Sequence, residues 1–293
     1  MKLPQLDLEG LRSHLEAALH EDIGPGDLTT QAVVAEDATA TGRFVAREEG
    51  VLAGAVLLPP LFELLDPQVQ VDVLKGEGES FMAGETLARI GGPARAILSG
   101  ERVALNFLQR LCGIATMTSR FVKRASAHGA RILDTRKTTP GWRALEKYAV
   151  AAGGGVNHRM GLYDQVLIKD NHLALAARRW PGRALGAAVE AARAAAPEGV
   201  RIEVEADTLD QVRQALEAGA DIILLDNMNE QELRRAVEMA AAHHPRPILE
   251  ASGGVTEENV EAIARTGVDW ISVGALTHSA RALDIALDLL PDE

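Results

Sequence analysis

The sequence predicts an α/β protein whose larger part carries a parallel sheet, built as a TIM-like barrel or as a doubly wound sheet, behind a smaller α+β domain. Three observations predict it. Short apolar runs rich in β-branched residues recur between helical segments from residue 131 onward. The helices between them carry recognisable starts and stops. Each run also ends in polar residues, as strands do when their carboxyl ends meet at one functional rim.

The smaller domain comes first. Leu8–His20 has helical spacing, and Asp22-Ile-Gly-Pro-Gly-Asp27 reads as a loop rich in turn residues. Gly42–Arg47 and Gln68–Val73 alternate with the two-residue period of half-buried strands, and a helix over Leu57–Leu65 is expected between them. Phe81–Ile90 holds another strand, broken at Gly91-Gly-Pro93. A long helical pattern then runs from Ala94 to about Arg124, with an interruption expected near Gly113.

The parallel strands are expected at Arg131–Leu133, Tyr163–Ile168, Arg201–Val204, Asp221–Leu225, Pro247–Leu249 and Asp269–Val273. Near-continuous apolar strands of this kind are covered on both faces. A seventh is placed around Gly155–Arg159. Thr208 with Gln211 fits a capping box, and Asn229 with Glu232 repeats it. Gly219 and Gly267 stand where two helices need a left-handed terminal residue.

Composition sets the outer limits. The chain has 293 residues, 47% hydrophobic and 25% charged, enough to bury a sizeable core. Its net charge of −12 argues against a general nucleic-acid or anionic-membrane binder. Val51–Phe62, the one long uncharged apolar stretch, is interrupted by Pro59-Pro60 and too short for a bilayer. Acids and a proline near the start argue against a signal peptide. One cysteine, Cys112, excludes an internal disulfide framework. A soluble cytoplasmic protein is expected.

The average charge conceals a pattern. Residues 1–112 have a net charge of −8, residues 113–172 of +6 and residues 173–293 of −10. A basic middle in an acidic chain suits a pocket for small anions.

The polar strand ends sharpen this. They are Asp134-Thr-Arg-Lys137, Lys169-Asp-Asn-His172, Glu205 with Asp207, Asp226-Asn227, Ser252-Gly-Gly254, and Gly274 after Ser272. Arg136, Lys137, His158, Arg159 and Lys169 make a cationic half, suited to carboxylate or phosphate. Glu205 and Asp226 suit Mg²⁺, ribose hydroxyls or a developing positive charge. The turns Ser252–Gly254, expected to lead into a helix headed by Thr256, and Val273-Gly274-Ala275 can aim backbone N–H groups at a phosphate. The implied ligand is a polyanion with a phosphorylated sugar.

At these residues the sequence closely resembles the quinolinate phosphoribosyltransferases. The matching stretches begin with Glu21-Asp-Ile-Gly-Pro-Gly-Asp-Leu-Thr-Thr30 and Glu101-Arg-Val-Ala-Leu-Asn-Phe-Leu108. Asp134-Thr-Arg-Lys-Thr-Thr-Pro-Gly141, Gly153-Gly-Gly-Val-Asn-His-Arg-Met-Gly-Leu162 and Ile168-Lys-Asp-Asn-His172 follow. Glu203-Val-Glu205, Leu225-Asp-Asn227, Ser252-Gly-Gly254 and Ser272-Val-Gly-Ala-Leu-Thr-His278 complete the set, in family order over nearly the whole chain.

The resemblance implies an N-terminal α/β sandwich over residues 1–112 and an incomplete barrel of six or seven strands over residues 113–276. A C-terminal helix over residues 277–293 is expected to return to the first domain. It further implies a homodimer with shared sites, higher assembly being left open, in which Arg102 enters the partner's cavity. Arg136, His158, Arg159 and Lys169 are expected around the quinolinate carboxylates, and Thr135 is expected among the substrate-binding residues. Lys137 serves substrate or pyrophosphate, Glu205 and Asp226 face the ribose and Mg²⁺, and Ser252, Gly253, Gly254, Val273, Gly274 and Ala275 hold the 5′-phosphate. Lys137, Lys169, Glu205 and Asp226 are the expected catalytic residues. Glu205 is preferred to Glu203 because Glu203 is expected on the opposite face of its strand.

The implied reaction joins quinolinate to phosphoribosyl pyrophosphate, releasing pyrophosphate and CO₂ and leaving nicotinate mononucleotide for NAD biosynthesis. A related phosphoribosyltransferase for another anionic ring, as in the molybdenum-associated relatives, and a Schiff-base aldolase using Lys137 or Lys169 are the competing readings. Cys112 is expected in the core rather than as a nucleophile, and Trp142 and Trp270 are expected to pack rather than stack on substrate.

Overall fold

The computed structural model describes residues 3–290, which divide into two compact units. The first comprises the chain up to Ser119, Thr139–Gly154 and the chain from Ser279; the second comprises Arg120–Thr138 and Gly155–His278.

In the first unit the strands are β1 (Thr39–Ala46), β2 (Gly50–Val51), β3 (Gln70–Val73), β4 (Ser80–Phe81) and β5 (Thr86–Pro93). β1, β5 and β3 form an antiparallel sheet, joined on its other edge by Ile285–Leu290, and β2 pairs with β4. Helices Leu8–Ile23 and Leu58–Glu63 belong to this unit. Its core holds Leu15, Phe44, Leu61, Phe62, Leu87 and Phe107, all essentially inaccessible. Burying such side chains stabilises the fold by roughly 1.5–3 kcal/mol each.

Three expectations are corrected here. The stretch expected as one strand over Phe81–Ile90 is two strands, and the second runs through Gly91 and Gly92 to Pro93 rather than breaking there. Helix Ala94–Ser126 passes Gly113 without interruption. That glycine instead permits a close approach, since a Cβ there would stand 1.9 Å from the carbonyl oxygen of Arg281. The third correction concerns the C-terminus. The segment expected as a helix over 277–293 forms a short helix, Ala275–His278, and then the strand Ile285–Leu290, paired antiparallel with β1 from Thr41↔Leu290 to Ala46↔Ile285. The open edge of β1 offers a full ladder, which outweighs the helical preference of a Leu- and Ala-rich sequence. Residues 291–293 lie outside the described residues.

The second unit contains β6 (Arg131–Leu133), β7 (Val166–Ile168), β8 (Ile202–Ala206), β9 (Ile222–Asp226), β10 (Ile248–Ser252) and β11 (Trp270–Ser272). They form one parallel sheet in the order β6-β11-β10-β9-β8-β7. The expected seventh strand is reduced to a single parallel bridge, Leu133↔Val156, beside β6. The sheet curls far enough to bring His158, just beyond that bridge, against Glu203 of β8 and Glu250 of β10. An incomplete TIM-like barrel of six strands results. Both capping boxes are present, at Thr208 and Asn229, and Gly219 and Gly267 have φ of +70° and +91°. No described helix is long and apolar enough to cross a membrane.

Candidate active site

The carboxyl ends of the second unit's strands converge on a cavity of about 670 Å³. Thr135, Arg136 and Lys137 reach it from the end of β6, Lys169 from β7, Glu205 from β8 and Asp226 from β9. Ser252, Gly253 and Gly254 complete it at the end of β10, and His158 and Arg159 enter after the Val156 bridge. All these residues belong to one unit.

The cationic half is tightly held. Asp134, fully buried, accepts a hydrogen bond from the His158 backbone N–H at 2.9 Å, so the loop before β7 is tied to the end of β6. Burial, and then the neighbouring Arg136 guanidinium, lower the pKa of Arg159. Arg136 Nε is buried with no hydrogen-bond partner among the described residues. An unsatisfied buried donor costs about 1–3 kcal/mol, and two facing guanidinium groups repel. A bound anion relieves both costs.

The carboxylate half is arranged by adjacent strands. Glu205 accepts from Lys169 Nζ at 3.1 Å. Asp226 Oδ2 accepts from Asn227 Nδ2 at 2.6 Å. Asn227 has a left-handed φ of +53°, and its N–H donates to the Ser252 carbonyl. Gly253, at φ +93°, lies so close that a Cβ would stand 2.2 Å from Asn227 Oδ1. Here glycine is required by close approach as well as by backbone conformation. Next to it, a Cβ on Gly254 would meet nothing within 4 Å.

Some expected site residues lie elsewhere. Val273 is buried, with its N–H donating to the Leu133 carbonyl, and Ala275 begins the short helix Ala275–His278. Gly274 packs beside Lys137, where a Cβ would stand 2.9 Å from Cδ. These three are not among the described residues lining the cavity. Arg102 is an exposed residue of helix Ala94–Ser126 in the first unit, 4.0 Å from Glu101. Thr256 does not head a helix: the turn continues to Asn259 and the five-residue helix begins at Val260. His172 closes a capping box, its Nδ1 accepting from the Lys169 N–H at 2.9 Å, and thereby sets the backbone at Lys169.

The placement of Glu203 overturns an expectation. Side chains two apart on a strand share a face. Glu203 and Glu205 therefore both point inward, Glu205 at the cavity and Glu203 one layer deeper against His158. Glu250 of β10 is the main residue that sequence reasoning missed. It lines the cavity, two residues before Ser252, and the same period would have found it. His158 Nε2 lies 3.2 Å from Glu203 and 3.4 Å from Glu250. Burial opposes charge on the imidazole, whereas the two carboxylates favour it. Burial, and Glu250 beside it, raise the pKa of Glu203. The Arg159 N–H donates to His158 Nδ1 at 2.8 Å, so Nδ1 carries no proton and the ring is the neutral tautomer with its proton on Nε2, facing the two carboxylates. Cys112 is buried within its helix, its thiol pushed up to about 12 by burial, and Trp142 stacks on Phe107 at 4.8 Å.

Comparison with known proteins adds independent information. Residues 27–112 match the family model of the quinolinate phosphoribosyl transferase N-terminal domain, and residues 114–288 match that of its C-terminal domain. The chain is 47% identical over 287 residues to a Bacillus subtilis (strain 168) protein named "Probable nicotinate-nucleotide pyrophosphorylase (carboxylating)", covering 97% of this chain and 94% of that one. It is 43% identical over 295 residues to the Mycobacterium leprae (strain TN) nicotinate-nucleotide pyrophosphorylase (carboxylating), covering 98% and 100%. The solved structure of the Francisella tularensis nicotinate-nucleotide pyrophosphorylase superposes with a TM-score of 0.89 at 37% identity, covering 99% of each chain.

Proposed function

The chain belongs to the quinolinate phosphoribosyltransferase family, and from that premise we propose that it transfers the phosphoribosyl group of phosphoribosyl pyrophosphate to quinolinate with decarboxylation. The products are nicotinate mononucleotide, pyrophosphate and CO₂, a step of NAD biosynthesis. The observation that carries this reading is one cavity with two halves: guanidinium groups with an unsatisfied buried donor on one side, carboxylates and a glycine turn on the other.

Each half has its task. Arg136, Arg159 and Lys137 hold the two ring carboxylates, Lys137 also standing near the leaving pyrophosphate. Ser252, Gly253 and Gly254 receive the 5′-phosphate. The ring nitrogen displaces pyrophosphate from an anomeric carbon that gains positive charge, and Glu205 and Asp226 stabilise that charge as it develops. Lys169, paired with Glu205, keeps its carboxylate oriented. Decarboxylation follows: the C2–carboxylate bond breaks, the adjacent pyridinium nitrogen stabilises the electron pair left on C2, and a proton from solvent then adds there. The protein's part there is to keep water from the departing carboxylate.

Glu205 and Asp226 also fit Mg²⁺. Both end adjacent strands, both offer hard oxygen donors to one cavity, and a site with only two carboxylates leaves most positions to water and substrate phosphates, as Mg²⁺ prefers. When bound, the ion offsets negative charge on the pyrophosphate.

A Schiff-base aldolase is disfavoured: Lys169 is committed to Glu205 in a polar setting, whereas such a lysine works in an apolar pocket. The reading extends to a cytoplasmic homodimer with Arg102 of each chain completing the cavity of the other. Incubation with quinolinate and phosphoribosyl pyrophosphate is expected to yield nicotinate mononucleotide and CO₂, with EDTA stopping the reaction and Mg²⁺ restoring it. Absence of that product under any Mg²⁺ concentration refutes the assignment.

A further inference from the structure

Beneath the cationic half of the cavity, four residues close a ring of contacts. Glu203, fully buried, places Oε2 3.2 Å from His158 Nε2 and 2.5 Å from Gln165 Nε2. The Gln165 main-chain carbonyl, not its side chain, accepts from Arg159 Nη1 at 3.1 Å. The Arg159 N–H returns to His158 Nδ1 at 2.8 Å. Glu203 is the hub, and both His158 and Arg159 line the cavity. Glu250 adds a second carboxylate to His158, and its oxygens, like Glu203 Oε1, are buried with no hydrogen-bond partner among the described residues.

Buried carboxylate oxygens without donors are costly, and such groups require an explanation beyond packing. Burial and the neighbouring Arg136 oppose the charge on Arg159, which Glu203 favours, and the cavity brings the two cations together. A divalent metal on His158, Glu203 and Glu250 is an alternative explanation, since their ligand atoms lie within 4.8 Å of one another. The Arg159 amide argues against it. With Nδ1 accepting, Nε2 bears the proton and has no lone pair for a metal.

We propose that Glu203 and Gln165 are positioning residues that fix the His158 ring and the Arg159 guanidinium for recognition of the ring dicarboxylate. The proposal rests on the reading of the cavity as the quinolinate site. Glu203 acts through Arg159 and His158 and takes no part in phosphoribosyl transfer itself. Its effect is therefore on selection of the aromatic substrate, not on handling of the phosphorylated sugar.

The test is steady-state kinetics on the full-length Glu203→Gln enzyme, which keeps the side-chain shape and removes the charge, and on Gln165→Met. Calorimetric binding of phthalate, an unreactive benzene dicarboxylate, and the melting temperature accompany it. Loss of charge-assisted hydrogen bonds predicts a rise of about tenfold or more in KM for quinolinate and a matching loss of phthalate affinity in Glu203→Gln. A smaller rise is expected in Gln165→Met, while KM for phosphoribosyl pyrophosphate moves less than about twofold in both. If Glu203→Gln fails to fold, the Gln165→Met split decides. An unmoved KM for quinolinate in a folded, active variant overturns the inference while leaving the cavity reading intact. So does an equal rise in both KM values with a lowered melting temperature, or a stoichiometric metal that Glu203→Gln loses. A wild-type enzyme that neither turns over quinolinate nor binds phthalate overturns both.

Discussion

Replacement of Glu205 by glutamine is expected to lower kcat by about a hundredfold or more, the cost of removing one oriented group that stabilises charge only as the transition state forms. Both KM values are expected to change much less. The carboxylate lines the cavity, 3.1 Å from Lys169, and is proposed to face the anomeric carbon as that carbon gains positive charge. Glu203 shares its face but lies one layer below, so Glu203→Gln retains most of kcat while weakening quinolinate binding. Steady-state kinetics on the two variants, at saturating concentrations of both substrates, separate the roles. Equal losses of kcat would transfer the charge-stabilising role to Glu203 or spread it over both.

The second large effect concerns assembly. Arg102→Ala and Lys169→Ala are each expected to abolish nearly all activity as pure proteins. Arg102 belongs to one unit of the chain and Lys169 to the other. In a dimer with shared sites, random mixing gives cavities built from two unmutated halves in about a quarter of cases, so an equal mixture is expected to regain about a quarter of wild-type activity. The check is activity after unfolding and refolding the two variants together. A mixture no more active than its components refutes the shared site.

Much of this was legible in the sequence because local signals and tertiary demand agree. The six barrel strands are apolar runs bounded by helices with capping boxes and terminal glycines, and all six form. Their polar ends announce the rim because charge at a strand end needs a partner or a ligand. What escaped has physical reasons. Gly113 looks like a helix breaker, but its need arises from the Arg281 carbonyl, a contact far along the chain. Ile285–Leu290 carries helix-forming leucine and alanine, and only the unpaired edge of β1 makes it a strand. Thr256 resembles a helix cap, yet Asn259 accepts its N–H and the helix starts later. The two-residue strand period, applied consistently, places Glu203 beside Glu205 and Glu250 beside Ser252; their convergence on His158 requires the curl of the sheet. The −12 net charge likewise says little until divided, since the cations that line the cavity come from the one basic segment.

The cations that line the cavity are expected to select a ring bearing two adjacent carboxylates. The most direct measurement is kcat/KM with quinolinate and with nicotinate, both assayed with phosphoribosyl pyrophosphate and Mg²⁺ and with CO₂ followed from carboxyl-labelled quinolinate. A preference for quinolinate of about a hundredfold or more is expected, the worth of one lost charge-assisted carboxylate contact with its buried donors left unpaired, with one CO₂ released per nicotinate mononucleotide formed. Comparable turnover of nicotinate, or nucleotide formed from quinolinate without release of CO₂, would contradict it.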